Sequence, residues 1–142
     1  MKINEIQDEI KDEFAMFDEE NWDERYQYVI DLGKTLPIID ERYKTDANII
    51  KGCQSKVWLH GEVQDGKVIF TADSDAILTK GIIAILIRTF SHQKAVDILE
   101  ANTGFIDEIG LKEHLSPTRA NGLVSMVKQI KMYALAFQSL EN

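Results

Sequence analysis

Cysteine is nearly absent from this chain: Cys53 is the only one in 142 residues. A single thiol excludes any internal disulfide. It also excludes an iron–sulfur cluster held by this chain alone, which needs more thiolates. Structural zinc wants four Cys or His ligands at short spacings. Here His60, His92 and His114 are scattered, so no metal site is expected. Long hydrophobic runs are missing too. The longest, residues 82–87, is far short of the roughly 20 residues that span a bilayer, so no membrane association is expected. The chain opens Met1-Lys2-Ile3-Asn4 and runs into acidic residues, which is not a secretory signal. Lys2 stands where N-myristoylation needs glycine. A glycine-rich phosphate loop is absent, because Gly52 and Gly61 are isolated. Positive charge is in short supply: 16 Lys and Arg against 24 Asp and Glu give a net charge of −8. That disfavours nucleic acid, whose binding rests on cations meeting phosphate. Solubility explains the charge, and a partner with a basic patch is compatible with it. A lone thiol without disulfides suits a reducing compartment, so a cytoplasmic location is expected.

What is present fits one domain over residues 1–142. The apolar fraction of 44% is ordinary for a chain that buries its own core. Its organising stretch is Ile50-Lys51-Gly52-Cys53-Gln54-Ser55-Lys56-Val57-Trp58. Glycine precedes the cysteine, polar residues follow, and alternation begins at once. That predicts a cysteine at a loop tip entering a strand, with Gly52 free to take φ > 0. A loop-tip thiolate can act as nucleophile or carrier. The plain alternative is a small buried hydrophobe.

The flanking sequence predicts the frame around this loop. Ile3, Ile6, Ile10, Phe14 and Phe17 form one helical stripe, with Asn4 as candidate cap. Asn21 and Glu24 resemble a capping box for a second helix, ended by Gly33 with Pro37 beyond. Residues 34–50 lack periodicity and are expected to be mostly irregular, with Ile38 and Ile39 as anchors. Alternation over residues 56–63 and 68–72, joined by Asp65-Gly66, predicts a β-hairpin. Asp73-Ser74-Asp75 is read as a cap for a buried helix from Ala76 to Phe90, in which Gly81 permits close packing on the sheet. Ser91 is a candidate cap for a short helix, and residues 105–109 read as one turn ended by Gly110. Ser116-Pro117 starts a long helix carrying Leu123, Met126, Ile130, Tyr133, Phe137 and Leu140. Gly122 lies in its early turns on the side of Arg119, where a glycine admits a neighbouring loop.

Four segments resemble the SufE family of sulfur-acceptor proteins. Gly52-Cys53-Gln54-Ser55-Lys56-Val57-Trp58 is similar to that family's active-cysteine motif. His114-Leu115-Ser116-Pro117-Thr118-Arg119-Ala120-Asn121-Gly122-Leu123 is similar to its second motif. Asp73-Ser74-Asp75-Ala76 with Lys80-Gly81, and Leu32-Gly33-Lys34-Thr35-Leu36-Pro37, resemble its middle segment and early turn. Order and spacing agree over roughly residues 20 to 138; the N-terminal helix matches least. The resemblance implies an α+β, IscU-like domain with a small antiparallel sheet packed against several helices. It implies that Cys53 accepts a persulfide sulfur from a PLP-dependent cysteine desulfurase of the SufS/CsdA type, activates that enzyme, and passes sulfur to an iron–sulfur scaffold. Gly52, Gln54, Ser55, His114 and Arg119 would support the thiol, and Asp73 and Asp75 would face the partner. The chain itself would need no cofactor, PLP belonging to the partner, and would not be an autonomous enzyme.

Two other readings stand beside this one. Cys53 as nucleophile with His114 as base would make a thiol enzyme. A cysteine locked inside a regular element would make an inert interaction domain. On the acceptor reading the thiol is expected to point inward against apolar side chains at rest, and to swing out on docking. Arg119 is expected beside it, since a cation favours the thiolate.

Overall fold

The alternating residues after Cys53 pair as strands β1 (Val57–Gln64) and β2 (Lys67–Ser74), a two-stranded antiparallel sheet. Its turn is Asp65-Gly66, both at positive φ, as a tight two-residue hairpin turn requires. Val57, Leu59, Val68, Phe70 and Ala72 bury one face. The computed structural model describes residues 1–17, 20 and 22–141. Helices α1 (Ile3–Ala15) and α2 (Trp22–Gly33) precede the hairpin. Helices α3 (Ile77–Phe90), α4 (Ala95–Glu100), α5 (Phe105–Glu108) and α6 (Pro117–Glu141) follow it. The architecture is α+β, with helices gathered on the buried face of the sheet.

Helix α3 is the centre of the core. Ile82, Ile83, Ile85, Leu86 and Ile87 are almost wholly buried, and each contributes roughly 1.5–3 kcal/mol by leaving water. Gly81 does allow a close approach, but to α2 rather than to the sheet. A Cβ there would lie 2.0 Å from the Val29 carbonyl oxygen, and one at Gly33 would lie 3.0 Å from the Gly81 nitrogen. Two glycines therefore set the crossing of α2 and α3, a constraint that hydrophobic periodicity does not reveal.

Several caps differ from expectation. Helix α1 is capped at Lys2, whose backbone N–H donates to Glu5 Oε1 at 3.0 Å, and not by Asn4. The Asn21 capping box lies outside the described residues. Helix α3 starts after Ala76 with no side-chain cap, because Ser74 and Asp75 are turned toward the strand opposite. Ser91 closes α3 instead of opening α4, and its hydroxyl accepts from the Phe70 N–H at 2.9 Å. Ser116 does cap α6, accepting from the Arg119 N–H at 3.3 Å.

Residues 34–50 contain two short 3-10 turns, Glu41–Tyr43 and Asp46–Asn48. The segment is laced to both strands. Ile39 N–H donates to the Ala72 carbonyl at 3.1 Å, and Ile50 N–H to the Val57 carbonyl at 2.8 Å. Ile39 is buried while Ile38 is 52% exposed, so one anchor holds and the other does not. Tyr43 stacks on His60 and Lys44 lies over Trp58, covering the outer face of the sheet. Along α6 the predicted stripe is buried at Leu123, Met126 and Ile130 and half-buried at Tyr133 and Phe137, but Leu140 is 81% exposed because the helix outruns the core.

Candidate functional site

Cys53 sits in a loop whose two roots are fixed. At the first, Ile50 is hydrogen-bonded to Val57. At the second, Lys56 N–H donates to Asp75 Oδ1 at 3.0 Å, and the Lys56 carbonyl accepts from Asp75 N–H at 3.2 Å and Ser74 Oγ at 2.9 Å. Register makes this possible, since Val57 pairs with Ser74 and places Asp75 beside Lys56. Between the roots, residues 51–55 form no strand or helix. Gly52 takes φ +93°, and a Cβ there would lie 2.6 Å from Ser125 Oγ. The dihedral calls for glycine, and any side chain here would have to turn the Ser125 hydroxyl aside.

The loop brings Cys53 down onto α6 at Gly122. The thiol donates to the Gly122 carbonyl at 3.7 Å, and a Cβ at Gly122 would lie 3.3 Å from Sγ. The glycine in the second turn of α6 thus admits the cysteine loop. Cys53 is half-buried and packs against the core. Its sulfur is turned inward, onto a helix carbonyl as well as onto apolar side chains. Burial pushes the thiol pKa above its ordinary value. The carbonyl oxygen that accepts from the thiol offers a thiolate no stabilisation. In this resting position Cys53 is a poor nucleophile.

Around the sulfur lies a crevice of about 260 Å³, open mouth included. Gln54, Ser55 and Arg119 line it with Cys53 and Gly122. Thr79, Ile82, Thr118 and Met126 complete it; the sequence placed Ile82 and Met126 in the core and Thr118 in the second motif, and assigned none of them to the site. Their signal was spacing: Met126 lies one turn from Gly122, and Thr118 adjoins Arg119. Space for the centre of a water-sized sphere inside it is only about 10 Å³, enough for about one water, so the crevice does not hold a bound metabolite. Arg119 is exposed, and its guanidinium makes no ion pair among the described residues. It lines the same crevice as the thiol.

His114 is elsewhere. Its ring meets Trp22 edge-on with centroids 4.0 Å apart, and its carbonyl accepts from the Tyr26 hydroxyl. No hydrogen bond joins it to Cys53 among the described residues, so the proposed nucleophile–base pair is not formed. Packing on Trp22 fixes the turn before α6 and holds the second motif in place. Asp73 is not open to a partner either. It pairs with Lys44 at 3.0 Å and Lys80 at 3.4 Å, tying the 34–50 segment to α3. Burial pushes its carboxyl up, but hydrogen bonds from Lys44 and the Ser74 N–H, with Lys80 nearby, hold it below the usual carboxylate range. Asp75 serves the loop root rather than a helix cap.

Among the described residues no group of three or more His, Cys, Asp and Glu is placed to hold a metal ion. No described helix is long and apolar enough to cross a membrane.

The similarity to known proteins agrees with this geometry. The family model for SufE, the Fe-S metabolism associated domain, matches residues 8–134. An uncharacterized SufE-like protein of Rhizobium meliloti is 43% identical over 132 residues, covering 89% of this chain and 93% of that protein. One of Synechocystis is 39% identical over 114 residues, covering 80% of this chain and 72% of that protein. The solution structure of a hypothetical protein from Thermus thermophilus has the same fold, with a TM-score of 0.78 at 19% identity over 94% of this chain and 96% of that one. A match that begins inside α1 and runs to within a few turns of the end of α6 leaves one assignment: the chain belongs to the SufE family and to Fe–S metabolism.

Proposed function

We propose that this protein is a sulfur acceptor and carrier that works with a PLP-dependent cysteine desulfurase. The observation that carries the reading is the seat of Cys53: a loop tip with both roots pinned, half-buried over Gly122, in a crevice too small for a free substrate. The sulfur must then arrive attached to a macromolecule that can draw the loop out. On docking, the loop leaves Gly122 and the Cys53 thiol loses its proton to solvent. The thiolate attacks the terminal sulfur of the donor's cysteine persulfide. A new S–S bond forms on Cys53, the donor S–S bond breaks, and the donor cysteine departs as a thiolate. No external oxidant is needed. Arg119 borders the site where negative charge moves and favours the anionic forms. PLP chemistry stays in the desulfurase, and iron–sulfur assembly takes place on a separate scaffold, in a reducing cytoplasm.

The test is intact mass after incubation with a cysteine desulfurase and L-cysteine. The expected product carries one added sulfur, absent in Cys53→Ser. Unmodified protein under conditions where the desulfurase turns over would overturn the reading.

A further inference from the structure

A second depression borders the Cys53 loop on its other side. It is a trough of about 950 Å³, open mouth included, between residues 47–51 and α6. Its helix wall is built from Ser125, Lys128, Gln129, Met132 and Tyr133. That spacing is one face over two turns, so the trough is about 12 Å long at 1.5 Å per residue. Such a length accommodates three to four residues of extended chain at about 3.3 Å each.

Its charge is at odds with the rest of the molecule. The chain has 24 acidic residues and a net charge of −8, yet no Asp or Glu lines either this trough or the crevice beside Cys53 among the described residues. Lys51 and Lys128 line the trough, and neither makes an ion pair among the described residues. Ile49, Ile50 and Leu59 give it an apolar floor. Cations with nothing to neutralise them, over an apolar floor in an elongated groove, match a peptide in which carboxylates flank an apolar side chain.

The groove is also joined to the thiol loop. Lys51 is a loop residue, and Ser125 is the side chain on which Gly52 rests. We propose that this groove is a docking site for an acidic segment of a protein partner, seated against the first root of the Cys53 loop. The proposal deepens the carrier reading, on which it rests for the partner being the protein that gives or takes sulfur.

The probes are a short synthetic peptide alternating glutamate and leucine, its lysine–leucine counterpart, and citrate, each titrated into the full isotope-labelled chain by NMR. The acidic peptide is expected to shift the amides of residues 47–51 and 125–133, less so at high salt; the basic peptide is expected to shift none. Lys51→Glu with Lys128→Glu should weaken the acidic peptide about tenfold, a difference of about 1.4 kcal/mol, at unchanged melting temperature. Lys128→Gln should fall between. Three results would overturn the proposal: no shifts at millimolar peptide, citrate saturating the same amides as tightly as the peptide, or concentration-dependent dimerisation that covers them in the free chain. In sulfur transfer, Lys128→Glu should raise the concentration needed to saturate the desulfurase. If transfer to Cys53 proceeds and Lys128→Glu changes nothing, the groove fails and the carrier stands. If the wild-type chain accepts no sulfur, the carrier fails and the titration still decides the groove.

Discussion

The sulfur of Cys53 rests against the backbone of Gly122, 69 positions later in the sequence, donating a hydrogen bond to its carbonyl at 3.7 Å. The contact exists because residue 122 has no side chain. Gly122→Ala would place a methyl 3.3 Å from the sulfur, while gaining about 1 kcal/mol of helix propensity. The loop is the softer partner and should lift. Expected is alkylation of Cys53 several-fold faster than in wild type, with melting temperature kept or raised. Equal alkylation rates would show that Gly122 does not hold the thiol down.

The raised thiol pKa gives a pH signature. Folding favours the protonated sulfur, because burial penalises the thiolate. The associated stability is fully present below the ordinary thiol value of about 8.5 and is lost as pH rises through the higher folded value. Alkylation rate against pH should therefore have its midpoint above that of the urea-unfolded chain. Adding a desulfurase that cannot turn over should move the midpoint down.

Asp75 fixes the second root of the loop through Lys56. Asp75→Ala removes an exposed hydrogen bond to a backbone N–H, a loss of about 0.5–1.5 kcal/mol. It should both lower the melting temperature and speed alkylation of Cys53. A lower melting temperature with unchanged alkylation and sulfur transfer would reduce Asp75 to a structural tie.

Gly81→Ala is expected to be among the most damaging of small substitutions. Its methyl would sit 2.0 Å from the Val29 carbonyl oxygen, forcing α2 and α3 apart at a cost of about 3 kcal/mol or more. Gly33→Ala, at 3.0 Å, should be milder. Chemical denaturation of the two variants checks the order.

At acid pH the tie between α1 and α3 should go early. Arg88 pairs with both Glu9 and Glu13. The hydrogen bond from Arg88 holds the Glu13 carboxyl below its usual range, and one from Tyr28 adds to it. That contribution is present above the ordinary carboxylate value and lost as pH falls through the lowered one. Glu13→Gln should flatten this part of the acid unfolding curve.

The hairpin, the buried helix and the long last helix were legible because period 2, a wholly apolar run and period 3.6 each leave a pattern in sequence. The meeting of Cys53 with Gly122 and Arg119 was legible in part, since glycine within a helix marks a close approach. What was hidden lay in register and in backbone contacts. Nothing local says that Ser74 and Asp75 turn back to Lys56 instead of capping α3, because that follows from which residues pair across the hairpin. The Gly81–Val29 contact is a helix crossing, and a glycine does not announce which neighbour it admits. His114 sits in a motif with Arg119, yet its ring is committed to Trp22.

The pinned roots of the cysteine loop also set a tether length. From Ile50 to Lys56 the chain has six Cα–Cα steps, about 20 Å fully drawn out at 3.3–3.6 Å per residue. With both ends fixed, the tip can stand out from its anchors by no more than about half of that, roughly 10 Å. A donor sulfur recessed deeper than this in its own cleft is beyond reach unless the donor raises it. On the proposed carrier reading the loop would therefore discriminate among sulfur donors by depth, and lengthening or shortening it by a residue would shift that limit by about 1.7 Å, half of one residue's span.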